Sequence, residues 1–179
     1  MNSPQLTIRP VEAGDAVALA SVNHETWLAT YRGILDQATV EARSLEDEVR
    51  LWQDLLTERN PSQQRFVALD GARVVGYCGG GRNADTHSPF PAELFGIYVL
   101  PGWQSKGVGK KLLGTLAQWL RLQGWSAMQV WVLERNPFRG FYDSCGGTRL
   151  DQTREVDYGG KRLTVLSYGW TELDKLTEL

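Results

Sequence analysis

The chain of 179 residues suits one domain spanning 1–179, and its 42% hydrophobic and 22% charged residues give the balance of a globular protein that buries a core without covalent staples. A net charge of −2, the lack of any apolar run long enough for a bilayer and an N-terminus without an apolar h-region argue against nucleic-acid partners, membrane partners and a signal peptide, while leaving room for a local basic patch. Only two cysteines, Cys78 and Cys145, and two histidines, His24 and His87, occur, which gives no metal or redox signature; no metal cofactor is expected, and reduced thiols in the cytoplasm are the default.

Leu6–Arg9 alternates and predicts a first strand, ended by Pro10. From Glu12 to Tyr31, Val17, Leu19, Ala20, Trp27, Leu28 and Tyr31 recur at helical spacing, and Gly33 breaks the pattern. A second helix fits Leu45–Glu58, with Ser44 as N-cap and Asp47 three residues on; Asn60-Pro61 stops it. The period then shortens. Arg65–Leu69 and Arg73–Cys78 read as strands joined by Asp70-Gly71, a hairpin signal, and Arg82–Pro91 as a polar loop. Glu93–Val99 is a further strand, rich in aromatic and β-branched residues. A long helix follows from Gly107 to Gln123, its apolar face Leu112, Leu113, Leu116, Trp119 and Leu120, with Gly124 as its C-terminal stop. Ala127–Leu133 is a buried strand, Pro137–Ser144 a shorter helix, and Arg149–Asp157 and Arg162–Trp170 a final hairpin around Tyr158-Gly159-Gly160-Lys161. Antiparallel hairpins together with a strand–helix–strand crossover make an α/β protein with a mixed sheet.

Chemistry concentrates where the strand ending at Val99 enters the long helix through Leu100-Pro101-Gly102-Trp103-Gln104-Ser105-Lys106-Gly107-Val108-Gly109. First-turn N–H groups have no partner within a helix, the helix dipole favours an anion there, and glycine lets a ligand approach the backbone. Lys106, Lys110 and Lys111 add positive charge to a mildly acidic chain, which points to a specific anion. It is neither familiar nucleotide loop. Val108-Gly109 stands where a P-loop needs Lys-Ser/Thr, and the sixth position of Gly107-Val108-Gly109-Lys110-Lys111-Leu112 departs from the dinucleotide fingerprint.

Gln104-Ser105-Lys106-Gly107-Val108-Gly109 resembles the Q/R-x-x-G-x-G/A pyrophosphate loop of the GCN5-related N-acetyltransferase (GNAT) superfamily. Phe95-Gly96-Ile97-Tyr98-Val99 before it resembles that family's central strand. Asn136-Pro137-Phe138-Arg139-Gly140-Phe141-Tyr142 resembles its second motif, with Asn136 and Tyr142 six apart where many members have seven. The element order matches too, so the resemblance covers almost the whole chain. It implies a twisted, mostly antiparallel sheet of about seven strands flanked by about four helices, with a splayed pair of central parallel strands. It also implies acetyl-CoA as co-substrate. The pantetheine arm would lie against Ile97, Tyr98 and Val99, and the pyrophosphate against Gln104, Ser105, Lys106, Gly107, Val108, Gly109 and Lys110. Asn136 would bind the pantetheine amide or cap the short helix.

Transfer from a thioester to an amine needs a base, since an alkyl ammonium titrates near 10; it also needs donors for the oxyanion and a proton for the departing thiolate. By resemblance, Glu93 is the candidate base, with a solvated charge at a strand end as the alternative, and Tyr142 is the candidate acid, with a core aromatic as the alternative. A backbone N–H near Val99 would face the oxyanion. Strand alternation puts Glu93, Phe95, Ile97 and Val99 on one face and Leu94, Gly96 and Tyr98 on the other. On the acceptor side, Trp27-Leu28-Ala29-Thr30-Tyr31-Arg32-Gly33 resembles a segment of small family members; Trp27 and Tyr31, with Glu93, would contact the amine of a small molecule or peptide unless the aromatics are simply core. Two rival readings are a non-catalytic acyl-CoA sensor and a protein N-terminal or lysine acetyltransferase. An exposed edge at Arg162–Trp170, with apolar Leu163, Val165 and Leu166, suggests a homodimer.

Overall fold

A computed structural model describes residues 6–58, 60–158 and 161–179. One seven-stranded sheet organises it, in the order β1-β2-β3-β4-β5-β7-β6. The strands are β1 (Leu6–Pro10), β2 (Gln63–Asp70), β3 (Arg73–Arg82), β4 (Ala92–Val99), β5 (Met128–Leu133), β6 (Thr148–Tyr158) and β7 (Lys161–Trp170). Every pairing is antiparallel except β4 with β5. Among the described residues there are five α-helices: α1 (Ala16–Tyr31), α2 (Gln37–Glu41), α3 (Leu45–Thr57), α4 (Val108–Leu122) and α5 (Gly140–Ser144). None is long and apolar enough to cross a membrane.

The helices cover both faces. α4 buries Val108, Leu112, Leu113, Leu116, Ala117 and Leu120 against Val75, Leu94, Met128 and Val130, the main core. The far face carries α1 and α3, where Leu19, Ala20 and Trp52 meet Val67, Val74 and Tyr77. Entry into α1 is pinned electrostatically. Asp15 takes two bonds of 2.8 Å from the Arg9 guanidinium and one from Glu12 N–H, which holds its carboxyl below the usual carboxylate range.

Most sequence boundaries hold to within a few residues, and Ser44 does accept from Asp47 N–H at 3.1 Å. Three differences have physical causes. The sequence pattern misses α2, whose five residues are too few to show a period; Asp36 caps it by accepting from Thr39 N–H at 3.0 Å. α5 starts at Gly140 because Pro137 to Arg139 form a turn first. The third concerns the edge. β7 lies between β5 and β6, pairing with β5 over residues 165–170 and with β6 on its other side, and β1 and β6 are the edge strands. The bare-edge reason for self-association therefore does not apply to Arg162–Trp170. Of the turn joining β6 to β7, Gly159 and Gly160 lie outside the described residues.

Candidate active site

The site begins at an interruption in β4. Its ladder with β3 runs Gly79↔Gly96 and then Gly80↔Leu94, so Phe95 is an extra residue, a β-bulge. Its parallel ladder with β5 ends at Leu94↔Val130, and beyond that point the two strands are no longer paired. The bulge corrects the simple alternation. Ala92, Leu94, Ile97 and Val99 all belong to the core under α4, while Tyr98 belongs to the α1 side. Glu93, between Ala92 and Leu94, thus shares the α1-side face with Tyr98 rather than with Ile97 and Val99. Leu100 N–H donates to Val75 O at 3.0 Å. In an antiparallel pair this turns the backbone groups of Val99 and Ile97 away from β3, into the gap that β5 leaves.

A turn at Pro101–Trp103 then carries the chain to α4. Gln104 Nε2 donates to Val99 O at 3.0 Å, tying the loop to the end of β4. Ser105 and Gly107 both take left-handed conformations, φ 59° and 81°. Only glycine adopts that region without strain, which accounts for Gly107 at the N-cap. No side chain caps the helix. Its first bond runs from Lys111 N–H to Gly107 O at 3.0 Å, so the N–H groups of Val108, Gly109 and Lys110 have no backbone partner among the described residues.

A cavity of about 550 Å³ extends from this loop past α5 to α1. Of the residues singled out in the sequence, Ile97, Tyr98 and Val99 line it from β4, and Gln104, Ser105, Gly107, Gly109 and Lys110 from the loop and helix start. Trp27, Tyr31, Asn136 and Tyr142 complete the set. Three candidates lie elsewhere. Val108 is buried in the core. Lys106 holds its ammonium 5.2 Å from the Trp103 ring centroid, outside the cavity wall. Glu93 is half-buried beyond the bulge, also outside that wall.

Environment sets the protonation of these groups. Burial raises the Glu93 carboxyl above its ordinary range; the charge of Arg154 opposes this, and that of Asp85 adds to it. Tyr142 is buried among Phe141, Tyr168 and Trp170 at ring separations of 5.6, 5.5 and 6.1 Å, and burial pushes its phenol well up. Tyr31 is raised for the same reason. Asn136 Nδ2 donates to Tyr31 Oη at 3.2 Å and its Oδ1 accepts from Phe138 N–H at 2.8 Å, so this side chain both steadies the turn before α5 and reaches α1. Trp27 is engaged by the chain itself: Arg43 sits 4.6 Å from its ring centroid, and Tyr158 stacks on it at 5.5 Å.

Sequence reasoning missed several wall residues. Thr26 and Thr30 line the cavity one residue before Trp27 and Tyr31, and their i, i+4 spacing beside that pair is a signal that could have found them. Phe141 packs so near α4 that a Cβ on Gly109 would lie 3.1 Å from its ring. Gln129, Trp131 and Arg154 flank Glu93's face of the sheet, and nothing in the buried run Met-Gln-Val-Trp-Val-Leu marks Gln129 and Trp131 out.

A family model described as the acetyltransferase (GNAT) family matches residues 24–146. The chain is 28% identical over 175 residues to YuaI of Bacillus subtilis (strain 168), described as an uncharacterized N-acetyltransferase, covering 97% of this chain and 98% of the relative. Among solved structures, the PaiA N-acetyltransferase of Thermoplasma acidophilum in complex with coenzyme A aligns with a TM-score of 0.69 at 20% identity, over 93% of this chain and 99% of that one. YncA of Salmonella typhimurium, a putative acetyltransferase solved with acetyl-CoA, aligns with a TM-score of 0.67 at 21% identity, over 95% of each chain. At these identities both likenesses speak for the fold.

Proposed function

This chain belongs to the acetyltransferase (GNAT) family and is an acyl-CoA-dependent N-acetyltransferase, and from that premise we propose that it transfers the acetyl group of acetyl-CoA to a primary amine of a small molecule or peptide by direct attack in a ternary complex. The observation that carries the donor side is the uncapped start of α4, whose free N–H groups open on a cavity leading to the parting of β4 and β5. The residues fit the co-substrate. The diphosphate would lie on residues 104–110, and the pantetheine amides would meet the Ile97 backbone turned into the gap, since Val99 O already accepts from Gln104.

The amine must lose a proton before it attacks. Glu93 is the base, and its place beyond the cavity wall favours transfer through a water. As the nitrogen bonds to the thioester carbon, charge develops on the carbonyl oxygen, and the Val99 N–H directed into the gap meets it. Collapse breaks the carbon–sulfur bond. Tyr142 gives its proton to the leaving thiolate; burial raises the phenol and weakens it as an acid, so the transfer depends on the thiolate being raised by the same apolar surroundings. Trp27 acts as a wall of the acceptor side rather than as a seat for the ammonium, because Arg43 and Tyr158 already engage its ring.

Thiol release from acetyl-CoA, followed across a panel of polyamines, amino acids, aromatic amines and short peptides, tests this reading. Turnover of a member of the panel that collapses in Glu93→Gln supports it. Turnover at the wild-type rate in Glu93→Gln removes Glu93 as the base, and acetyl-CoA binding without turnover of any amine supports a sensor.

A further inference from the structure

Beside Glu93 lies a fully buried amide with one side uncommitted. Gln129 of β5 has no exposed surface, and its Oε1 accepts from Ser88 Oγ at 3.1 Å. Ser88 is itself fixed: Phe90 N–H donates to its Oγ at 3.2 Å, and its own N–H donates to Asp85 O at 3.1 Å. The loop over residues 83–91 thereby commits the amide oxygen, and the Nε2 end turns away from it.

The other side holds Glu93. Glu93 and Gln129 are register partners in the short parallel ladder. Their neighbours Ala92, Leu94, Met128 and Val130 all face the core under α4, so both polar side chains leave the sheet on the opposite, α1-side face. Gln129 Nε2 is buried and short of hydrogen-bond geometry with any group among the described residues, yet it is near enough to the Glu93 carboxylate to favour its charged form. A buried N–H with nothing to bond is costly, and it is retained where something pairs with it in use. Two charges also act on Glu93: Arg154 from β6 and Asp85 from the loop. They are an ion pair with each other at 3.1 Å, so their effects on the carboxylate oppose. The amide supplies what neither gives, a directional donor at fixed position.

We propose that Gln129 is a positioning residue for acetyl transfer, its amide N–H holding the Glu93 carboxylate on the acceptor face of the splayed strands while Ser88 anchors the amide from the loop. The inference rests on Glu93 being the base. It gives the loop over residues 83–91 a part in catalysis, because a change in its seating on β5 reaches Glu93 through one side chain.

Carboxyl NMR on protein labelled with ¹³C-glutamate tests the pair without an acceptor. The Glu93 resonance is identified by its loss in Glu93→Gln and titrated in the wild type, Gln129→Met and Ser88→Ala. Removing a donor that favours the charged form moves the Glu93 midpoint to higher pH in Gln129→Met, and by less in Ser88→Ala, which keeps the amide but frees it to turn. An unmoved midpoint in folded Gln129→Met overturns the proposal. If Gln129→Met does not fold, Ser88→Ala decides: an upward shift supports the pair and an unchanged midpoint overturns it. Failure here differs from failure of the base assignment. A Glu93→Gln variant with wild-type turnover removes the catalytic meaning of the pair, whereas an unmoved midpoint with Glu93→Gln inactive removes only the pair.

Discussion

The proposed donor and acceptor sides of the cavity are built by different means. The donor side, from the end of β4 through residues 104–110 to α4, offers backbone: free N–H groups, a left-handed Gly107 and one side-chain tie from Gln104 to Val99 O. The acceptor side is built from side-chain contacts between segments distant in sequence. Lys161 pairs with Asp36 and Arg154 with Asp85, while Trp27 stacks on Tyr158 and Asn136 reaches Tyr31. A backbone cradle demands particular residues at fixed local spacing, so it tolerates little substitution. A surface assembled from side-chain pairs can be rebuilt pair by pair, which suits a side that selects among amines.

The largest effects should therefore come from the cradle. Gly109→Glu crowds Phe141, at a cost of about 1–3 kcal/mol in stability, and brings a negative charge toward the proposed diphosphate site; that repulsion should weaken acetyl-CoA binding about 10- to 100-fold, as calorimetry beside circular dichroism would show. Gly107→Glu should match it, through strain at positive φ. Undiminished binding in both variants would break the comparison.

Loss of the proposed base comes next. Glu93→Gln should lower kcat/KM by about 100-fold or more while leaving acetyl-CoA affinity unchanged, because general base catalysis contributes on that scale and Glu93 stands outside the donor wall. The wild-type rate should fall as pH drops, beginning above the ordinary carboxylate range, because burial raises this carboxyl and the protonated form cannot accept a proton. Stability carries the opposite sign. A carboxyl raised by burial penalises the fold above its folded pKa and not below its unfolded one, so Glu93→Gln should melt higher than wild type at neutral pH and equally in acid. Thermal melts at two pH values check this.

Tyr142→Phe keeps the packing on Tyr168 and Trp170 and removes only the hydroxyl. It should cut kcat roughly tenfold or more and leave the melting temperature nearly unchanged. The smallest effect falls on Tyr31→Phe, which removes the bond from Asn136; about 0.5–1.5 kcal/mol of stability is at stake, read from denaturant unfolding.

The same contrast explains what could be read in advance. The loop over residues 104–109 is legible because its conformation requires glycine where glycine stands. α4 is legible because Leu112, Leu113, Leu116 and Leu120 repeat at helical spacing, and the β2–β3 hairpin because Asp70-Gly71 marks its turn. The bulge at Phe95 is not, since alternation on each side of it looks regular and only the pairing with Gly79 and Gly80 exposes the extra residue. The interior place of β7 is hidden for a similar reason: chain order makes it last, while topology seats it beside β5. Gln129 reads as one polar residue in an apolar strand until the register sets it against Glu93.

Backbone amide spectra of ¹⁵N-labelled protein during titration with acetyl-CoA would show whether the co-substrate lies on this backbone. The large shifts should fall on residues 97–99 and 104–110, the N–H groups of Val108, Gly109 and Lys110 foremost. Saturable binding whose shifts cluster elsewhere, with those amides unmoved, would contradict that placement.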